Sequence, residues 1–258
     1  MPVNAQYNIA KPGSFFIKVA TYQRVKMYKL FISVGISPDD TILDVGATSH
    51  MLYEHSNYLE AWYPHKSKIT ALGVDQGAAV LTRAFPGVRF VMGDGRRLPF
   101  RDGSFDYVHS SAVLEHVGDR TGQINFIAEA KRVARRGVFL TTPNRWYPIE
   151  FHTMLPIVHW LPPKLFRQML VMLGKAFFAD ERNLNLMSAS DLRVMADGIG
   201  LGDDCRVYGV RLAGLVTNLI FVLFKKSDNG GLAGKQQRRF LSHPLAATPF
   251  AEVPTSHD

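Results

Sequence analysis

Five short runs along the first 143 residues constrain the fold more than any other feature. They are "TILDV" (41–45), "ITALGVD" (Ile69–Asp75), "VRFVMGD" (Val88–Asp94), "FDYVHSS" (Phe105–Ser111) and "GVFLTTP" (Gly137–Pro143). Each is nearly continuously apolar at its centre, as strands covered on both faces are. Between the last two, "QINFIAEAKRVARRG" places Ile124, Ile127, Ala130 and Val133/Ala134 at helical spacing and ends in basic residues and Gly137, which reads as a helix stop. Strands that alternate with helices predict an α/β chain with an open parallel sheet and crossover helices. Two later runs, "CRVYGV" (Cys205–Val210) and "NLIFVLFK" (Asn218–Lys225), are expected to pair at one sheet edge.

Around this frame the pattern changes. "FFIKVATYQRVKMYKLFISVG" reads as one or two helices, so residues 1–37 are expected to form an N-terminal helical cover and residues 38–226 the main domain. Residues 146–200 hold five of the nine methionines (Met154, Met169, Met172, Met187, Met195) with Trp146, Trp160, Phe166, Phe177 and Phe178. Within them "PKLFRQMLVMLGKAFF" reads as a helix apolar on most sides: a core helix, a lid over an apolar pocket, or a membrane-contacting surface. Residues 227–258 lack periodicity and read as a flexible tail.

The N-terminus shows no charged segment leading into an apolar one, so no secretory signal is expected. The longest apolar run, Leu212–Phe224, is shorter than the roughly 20 residues a spanning helix needs and is interrupted by Thr217 and Asn218. The single cysteine, Cys205, excludes an internal disulfide and fits a reducing, cytoplasmic setting. A net charge of +8 raises nucleic acid or an anionic membrane as partners, with "KRVARR" (Lys131–Arg136) and "KQQRRF" (Lys235–Phe240) as the main basic clusters.

In an open α/β sheet ligands bind beyond the carboxyl ends of the strands. There the chain places Asp44 and Gly46, then Asp75, then Asp94 between two glycines, then Ser110 and Ser111. Three carboxylates on one rim repel one another unless a ligand supplies donors such as an amine, ribose hydroxyls or an adenine amino group. Taken singly, each is more often a cap or turn residue; three in succession, flanked by glycines, point to a ligand. The loop from Gly46 reads "GATSHM", with Thr48 and Met51 where a G-x-G-x-x-G fingerprint has its other glycines. It argues against a dinucleotide held across a pyrophosphate and suits a cofactor without phosphates.

With "ILDVGATSH", "GVDQG", "GDGRRLPFRDGSFDYVHSSAVLEHV" and "VFLTTPNRWYPIEFHT" in view, the chain resembles the class I S-adenosylmethionine-dependent methyltransferases, particularly their small-molecule branch. The resemblance covers roughly Pro38–Phe224, and Gly93–Val117 is its most specific stretch. It implies a Rossmann-like, mostly parallel seven-stranded sheet with helices on both faces and a helical lid insertion after the fifth strand. It also implies S-adenosylmethionine as cofactor. Asp44, Gly46 and Ala47 would then lie along the methionine moiety, and Asp75, followed by Gln76, would take the ribose hydroxyls. Asp94 would take the adenine amino group with Gly95 beside the ring, and Ser110 would line the methyl-donor side. The family loop usually reads D-x-G-x-G-x-G, so Thr48 and His50 are departures.

The implied reaction is in-line displacement at the sulfonium methyl group, in which alignment and exclusion of water carry much of the catalysis. An oxygen nucleophile calls for a general base. His116 in "LEHV" and His152 in "PIEFHT" are the candidates, with Glu150 as an orienting carboxylate, although a histidine in either place is more often a structural, hydrogen-bonded residue than a catalytic one. No metal site is expected, because Glu150 and His152 read as alternating neighbours on an extended strand. Cytosine carbon methylation would need a thiol at the rim, yet Cys205 falls in a late strand. Exocyclic-amine methylation uses an Asp/Asn-Pro-Pro-aromatic run where this chain has "SSAVLEH". Nucleic acid is therefore the weaker partner. Three readings stay open: a methyltransferase for a small-molecule or lipid-linked glycan acceptor, at oxygen and with peripheral contact to anionic membrane; a non-catalytic or regulatory protein on that scaffold; and an RNA-associated methyltransferase.

Overall fold

The computed structural model describes residues 13–51, 55–74, 76–225 and 240. The expectations for Asp75 and, Phe240 apart, for the tail 227–258 lie outside the described residues. Strands β1 (Ile42–Val45), β2 (Ile69–Gly73), β3 (Arg89–Met92), β4 (Phe105–Ser111), β5 (Ala134–Pro143), β6 (Cys205–Leu212) and β7 (Leu215–Phe224) form one sheet in the order β3-β2-β1-β4-β5-β7-β6. The first five run parallel, β7 lies antiparallel to β5, and β6 pairs antiparallel with β7 at the edge. This is the mostly parallel seven-stranded sheet that the strand pattern and the resemblance imply. Chain order reverses between β1 and β4, and such a reversal opens a crevice at the carboxyl ends of those two strands.

Helices cover both faces. On one, α1 (Phe15–Ser33), α2 (Tyr58–Trp62) and α3 (Ala78–Ala84) bring Phe31, Tyr58, Leu59 and Leu81 onto Ile42, Ile69, Ala71, Tyr107 and Phe139. On the other, α4 (Arg120–Val133) and α7 (Ala189–Gly198) bring Phe126, Ile127, Val133, Leu192 and Met195 onto Leu43, Val45, Val108, Val138 and Leu140. Alternate residues of each strand serve opposite faces, so these continuously apolar strands feed two cores at once. Phe240 is fully buried against Tyr208 and Phe224.

Three local expectations are corrected. The helix ahead of β5 does not run to Gly137; it starts at an Asp119 cap whose carboxylate accepts the Gly122 N–H at 2.9 Å, and it ends at Val133. β5 begins at Ala134 because Arg135 and Arg136 are held there in extended backbone by Asp106 (2.8 Å) and Asp40 (2.6 Å). The glycine at 137 serves packing, since a Cβ there would sit 3.0 Å from the Leu223 carbonyl and 3.3 Å from the Tyr107 ring. The basic run Lys131–Arg136 is thus largely paired within the fold, Arg132 with Glu129 and Asp102 included. This removes much of its reach toward a polyanion.

"PKLFRQMLVMLGKAFF" is not one helix but two, α5 (Pro163–Met172) and α6 (Ala176–Ala179), divided at Gly174 with φ 70°. They close a small core of their own around Phe166, Leu170, Phe178 and Leu184. The insertion is also shorter than 146–200, because α7 buries Leu192, Met195 and Ala196 in the main core. The N-terminal segment, by contrast, is a single helix from Phe15. Among the described residues no helix is long and apolar enough to cross a membrane.

Phe126 is 1% exposed and packs in the core that joins α4 to the sheet, against the site of Gly95. Phe126→Ala leaves a cavity there and is expected to lower the unfolding free energy by about 3–5 kcal/mol, measured by urea denaturation.

Candidate active site at the strand ends

β1 and β4 pair in a register that sets Asp44 beside His109. Both side chains face α1 and α2, and they meet: Asp44 Oδ1 lies 2.5 Å from His109 Nδ1, and His109 Nε2 lies 2.8 Å from the Tyr58 hydroxyl. Burial lowers the His109 imidazole to about 4, so the ring is neutral near pH 7. With Asp44 ionised, the proton inventory has one solution. Tyr58 donates to Nε2, and Nδ1–H donates to Asp44. Phe31 and Phe139, themselves 5.3 Å apart, pack against the ring at 4.7 and 5.9 Å between centroids and restrict its orientation.

Glu60, fully buried two residues after Tyr58 in α2, faces the same cluster, and neither of its carboxylate oxygens accepts a hydrogen bond among the described residues. Burial, reinforced by the nearby Asp44 charge, raises its carboxyl well above the usual range. Burial also raises Asp44 to about 6. Two carboxylates share one dry site, and a cationic ligand group is what would let both ionise. The crevice beside them is lined by Asp44, Gly46, Asn57, Tyr58, His109 and Ser111.

The loop after β1 is held without further glycines. Gly46 has φ 113°, and a Cβ there would lie 2.1 Å from Val113 Cγ2, so no other residue fits. The Gly46 and Ala47 N–H groups both donate to the Leu72 carbonyl (2.8 and 3.0 Å). Thr48 and His50, the departures, belong to a clamp: Asn57 Oδ1 accepts the Thr48 N–H at 2.9 Å, Asn57 Nδ2 donates to the Thr48 carbonyl at 2.8 Å, and Thr48 Oγ1 accepts the His50 N–H at 3.2 Å. Side-chain hydrogen bonds thus fix the loop.

The remaining rim residues fall differently from expectation. Asp94 is engaged by its neighbour Arg96 through contacts of 2.6–3.0 Å, which hold its carboxyl below the usual range. Gly95 is a packing glycine, because a Cβ would lie 2.4 Å from Phe126 and 2.8 Å from Val45. Gln76 is exposed. Ser110 is corrected: it points to the other face of β4 and its Oγ donates to the Val45 carbonyl at 2.6 Å, so His109 and Ser111 line the crevice instead. Strand alternation in "VHSS" carries that signal. Tyr58, Glu60 and Asn57 had no local signal, for they come from a five-residue helix and its lead-in.

A second polar cluster forms where the turn after β4 meets the segment after β5. His116 and His152, 36 residues apart, face each other with Nε2 atoms 3.1 Å apart. His116 Nδ1 donates to the Asn183 carbonyl at 2.6 Å, and His152 Nδ1 lies 2.7 Å from Glu150 Oε1. Burial would raise Glu150, but the His152 charge and hydrogen bonds bring it to about 2; the same pairing outweighs burial and raises His152. Glu150 and His152 do not alternate on a strand as expected. They share a turn in which Glu150 also accepts the backbone N–H groups of His152 (2.9 Å) and Thr153 (2.5 Å). Sequence reading named these three residues and missed Glu115, which the fold buries among them. Nearby, Ala112, Met154 and Ile157 hold φ of 51–58°, a strained region for residues with a Cβ.

Asp44 provides a direct check of this electrostatic picture. Its folded-state pKa lies above the unfolded value of 3.8, so its ionisation opposes folding as the pH rises through about 6. Asp44→Asn keeps an acceptor for His109 and removes the charge. The variant is expected to be more stable than the parent by about 1–3 kcal/mol at pH 8, with the difference vanishing toward pH 4, measured by thermal or urea unfolding.

The comparisons with known proteins agree with this arrangement. A family model described as a methyltransferase domain matches residues 43–142, which run from β1 through β5. A demethylmenaquinone methyltransferase from a Roseiflexus species is 31% identical over 144 residues, 54% of this chain and 54% of that protein. The chain thus spans about half the length of this curated relative. Among solved structures, a SAM-dependent methyltransferase from Aquifex aeolicus aligns with TM-score 0.51 and 15% identity over 81% of this chain and 97% of that one. A protein from Pyrococcus horikoshii aligns with TM-score 0.52 and 14% identity over 87% and 97%. At such identities these two structures speak for the fold alone. The sheet order and the family match agree: residues 43–142, from β1 through β5, match a methyltransferase domain, and the seven-stranded sheet has the fold of the methyltransferase structure it aligns with.

Proposed function

We propose that the protein transfers the methyl group of S-adenosylmethionine to a small-molecule acceptor by in-line displacement. The observation that carries this reading is the coincidence of the family match, residues 43–142, with a crevice lined by Asp44 and backed by the buried Glu60, where a cationic group would favour the ionised carboxylates. The amine and sulfonium of the cofactor supply such charge. Asp75, Gln76, Asp94 and Gly95 are proposed to serve the ribose and adenine as the resemblance implies. For Asp94 that role requires Arg96 to yield or share the carboxylate.

The acceptor is proposed to be at least partly apolar. The similarity to a demethylmenaquinone methyltransferase from Roseiflexus makes a quinone-type acceptor a natural first trial. Trp160, Leu165, Val171 and Met172 are exposed on the segment between β5 and α7, the 172 side 80% so, and offer apolar surface for a greasy or lipid-linked substrate or for peripheral contact with a membrane. The methylated atom is proposed to be oxygen. His116, His152 and Glu150 then form the cluster at which the hydroxyl proton of the acceptor is handled.

Calorimetric titration of the purified protein with S-adenosylmethionine and S-adenosylhomocysteine is expected to show micromolar binding, weakened at least tenfold by Asp75→Ala and Asp44→Ala. Incubation with methyl-labelled cofactor and quinol, phenol or glycolipid acceptors, followed by mass spectrometry of the product, then identifies the atom. Folded parent protein that binds neither cofactor form would overturn the catalytic reading and favour a non-catalytic scaffold. Strong, salt-dependent RNA binding would favour the RNA-associated reading instead.

A further inference from the structure

The contact between His116 and His152 poses a problem in proton counting. A backbone carbonyl only accepts, so the Asn183 carbonyl 2.6 Å away places the His116 ring proton on Nδ1. The Glu150 carboxylate, 2.7 Å from Nδ1 of His152, places that ring's proton on Nδ1 as well. Both Nε2 atoms then turn lone pairs toward each other across 3.1 Å. A third lone-pair-bearing atom joins them. Glu115 Oε1 lies 3.8 Å from the Nε2 of His116 and 4.0 Å from that of His152. Thr142 donates to the other oxygen, Oε2, at 2.9 Å, which aims Oε1 at the two rings. Glu115 is fully buried, and Oε1 accepts no hydrogen bond among the described residues.

Two occupants can relieve three converging lone pairs. An extra proton, making His152 an imidazolium, satisfies the contact between the rings but leaves Glu115 Oε1 without a donor. A cation at the centre satisfies all three. The geometry favours the cation: a triangle with sides of 3.1, 3.8 and 4.0 Å has its equidistant point about 2.1 Å from each corner, the bond length of zinc to imidazole nitrogen and carboxylate oxygen. The supporting contacts are those of a metal site too. Each ligating ring donates its far N–H to a carboxylate or a backbone carbonyl, and the ligating carboxylate is itself held by a hydroxyl.

We infer that Glu115, His116 and His152 bind one divalent first-row transition-metal ion, with Glu150, Asn183 and Thr142 orienting the ligands. Two imidazoles and one carboxylate suit zinc, iron(II) or cobalt(II) far better than magnesium or calcium, which prefer oxygen. Three protein ligands leave coordination positions open on either side of their plane, and the two imidazoles keep side-chain exposures of 15% and 12%. The consequence for methyl transfer rests on the function proposed above. An acceptor hydroxyl ligated to the ion loses its proton to water at lower pH, so the histidines act as ligands rather than as free bases.

The test uses the full chain stripped of metal with a chelator and then titrated with zinc or cobalt(II). Expected are one ion per chain, micromolar or tighter zinc affinity, and visible cobalt bands of a low-coordinate nitrogen and oxygen site. His116→Ala and His152→Ala should abolish the bands, while Glu150→Gln should weaken zinc binding by about 10–100-fold. Circular dichroism and S-adenosylhomocysteine titration on the same samples establish that each variant is folded. Folded parent protein that takes up neither metal, with NMR showing a doubly protonated His152 bonded to His116, would overturn the inference. Cofactor binding in that same protein would leave the methyltransferase reading standing, whereas metal uptake without cofactor binding would do the reverse.

Discussion

The parallel pairing of β1 with β4 is the contact on which the rest of the site depends. It joins segments 65 residues apart, aligns Asp44 with His109, and marks the point where chain order reverses. A slip of one residue would send His109 into the opposite core and Ser110 toward the crevice. The register is held from both ends. At the entry, Asp106 accepts the Thr41 N–H and hydroxyl and pairs with Arg135; at the exit, Ser110 reaches across to the Val45 carbonyl. The polar chain from Asp44 through His109 to Tyr58 exists only in this register.

Burial gives that chain its chemistry. In water Asp44, Glu60 and His109 would titrate near their usual values, and beneath α1 and α2 all three are driven toward neutrality. A site of this kind is costly to keep empty and favourable to fill with positive charge. The loop over it is shaped by backbone donation to Leu72 and by the Asn57 clamp. That clamp shows how Thr48 and His50 can replace glycines without unravelling the turn.

The second cluster has a different origin. A short turn after β4 points Glu115 and His116 inward, and the segment leaving β5 folds back so that Glu150 and His152 meet them. Asn183 and Asn185 tie down the far side, the latter donating its N–H to the Glu115 carbonyl. Residues with positive φ sit on both edges of this junction. The backbone there is bent to bring polar groups together, and the packing of Phe166, Leu170 and Phe178 beyond it keeps them in place.

The sequence by itself determined the sheet. Runs such as "TILDV" and "FDYVHSS", the helical spacing from Ile124 to Ala130 and the specific stretch Gly93–Val117 suffice, because apolar period and strand-end residues are local properties of the chain. They also placed Asp44 and Gly46 at the rim and singled out His116, Glu150 and His152. Local pattern overreached where pairing intervened: Gly137 read as a helix stop until Asp40 and Asp106 claimed the arginines before it, and Ser110 read as a lining residue until register gave that face to His109 and Ser111. Only the tertiary structure decided that Glu60 and Tyr58 would join Asp44, or that Glu115 would aim an oxygen at two histidines. Such contacts link side chains far apart in the chain, and their geometry depends on register and turn angles that no periodicity records.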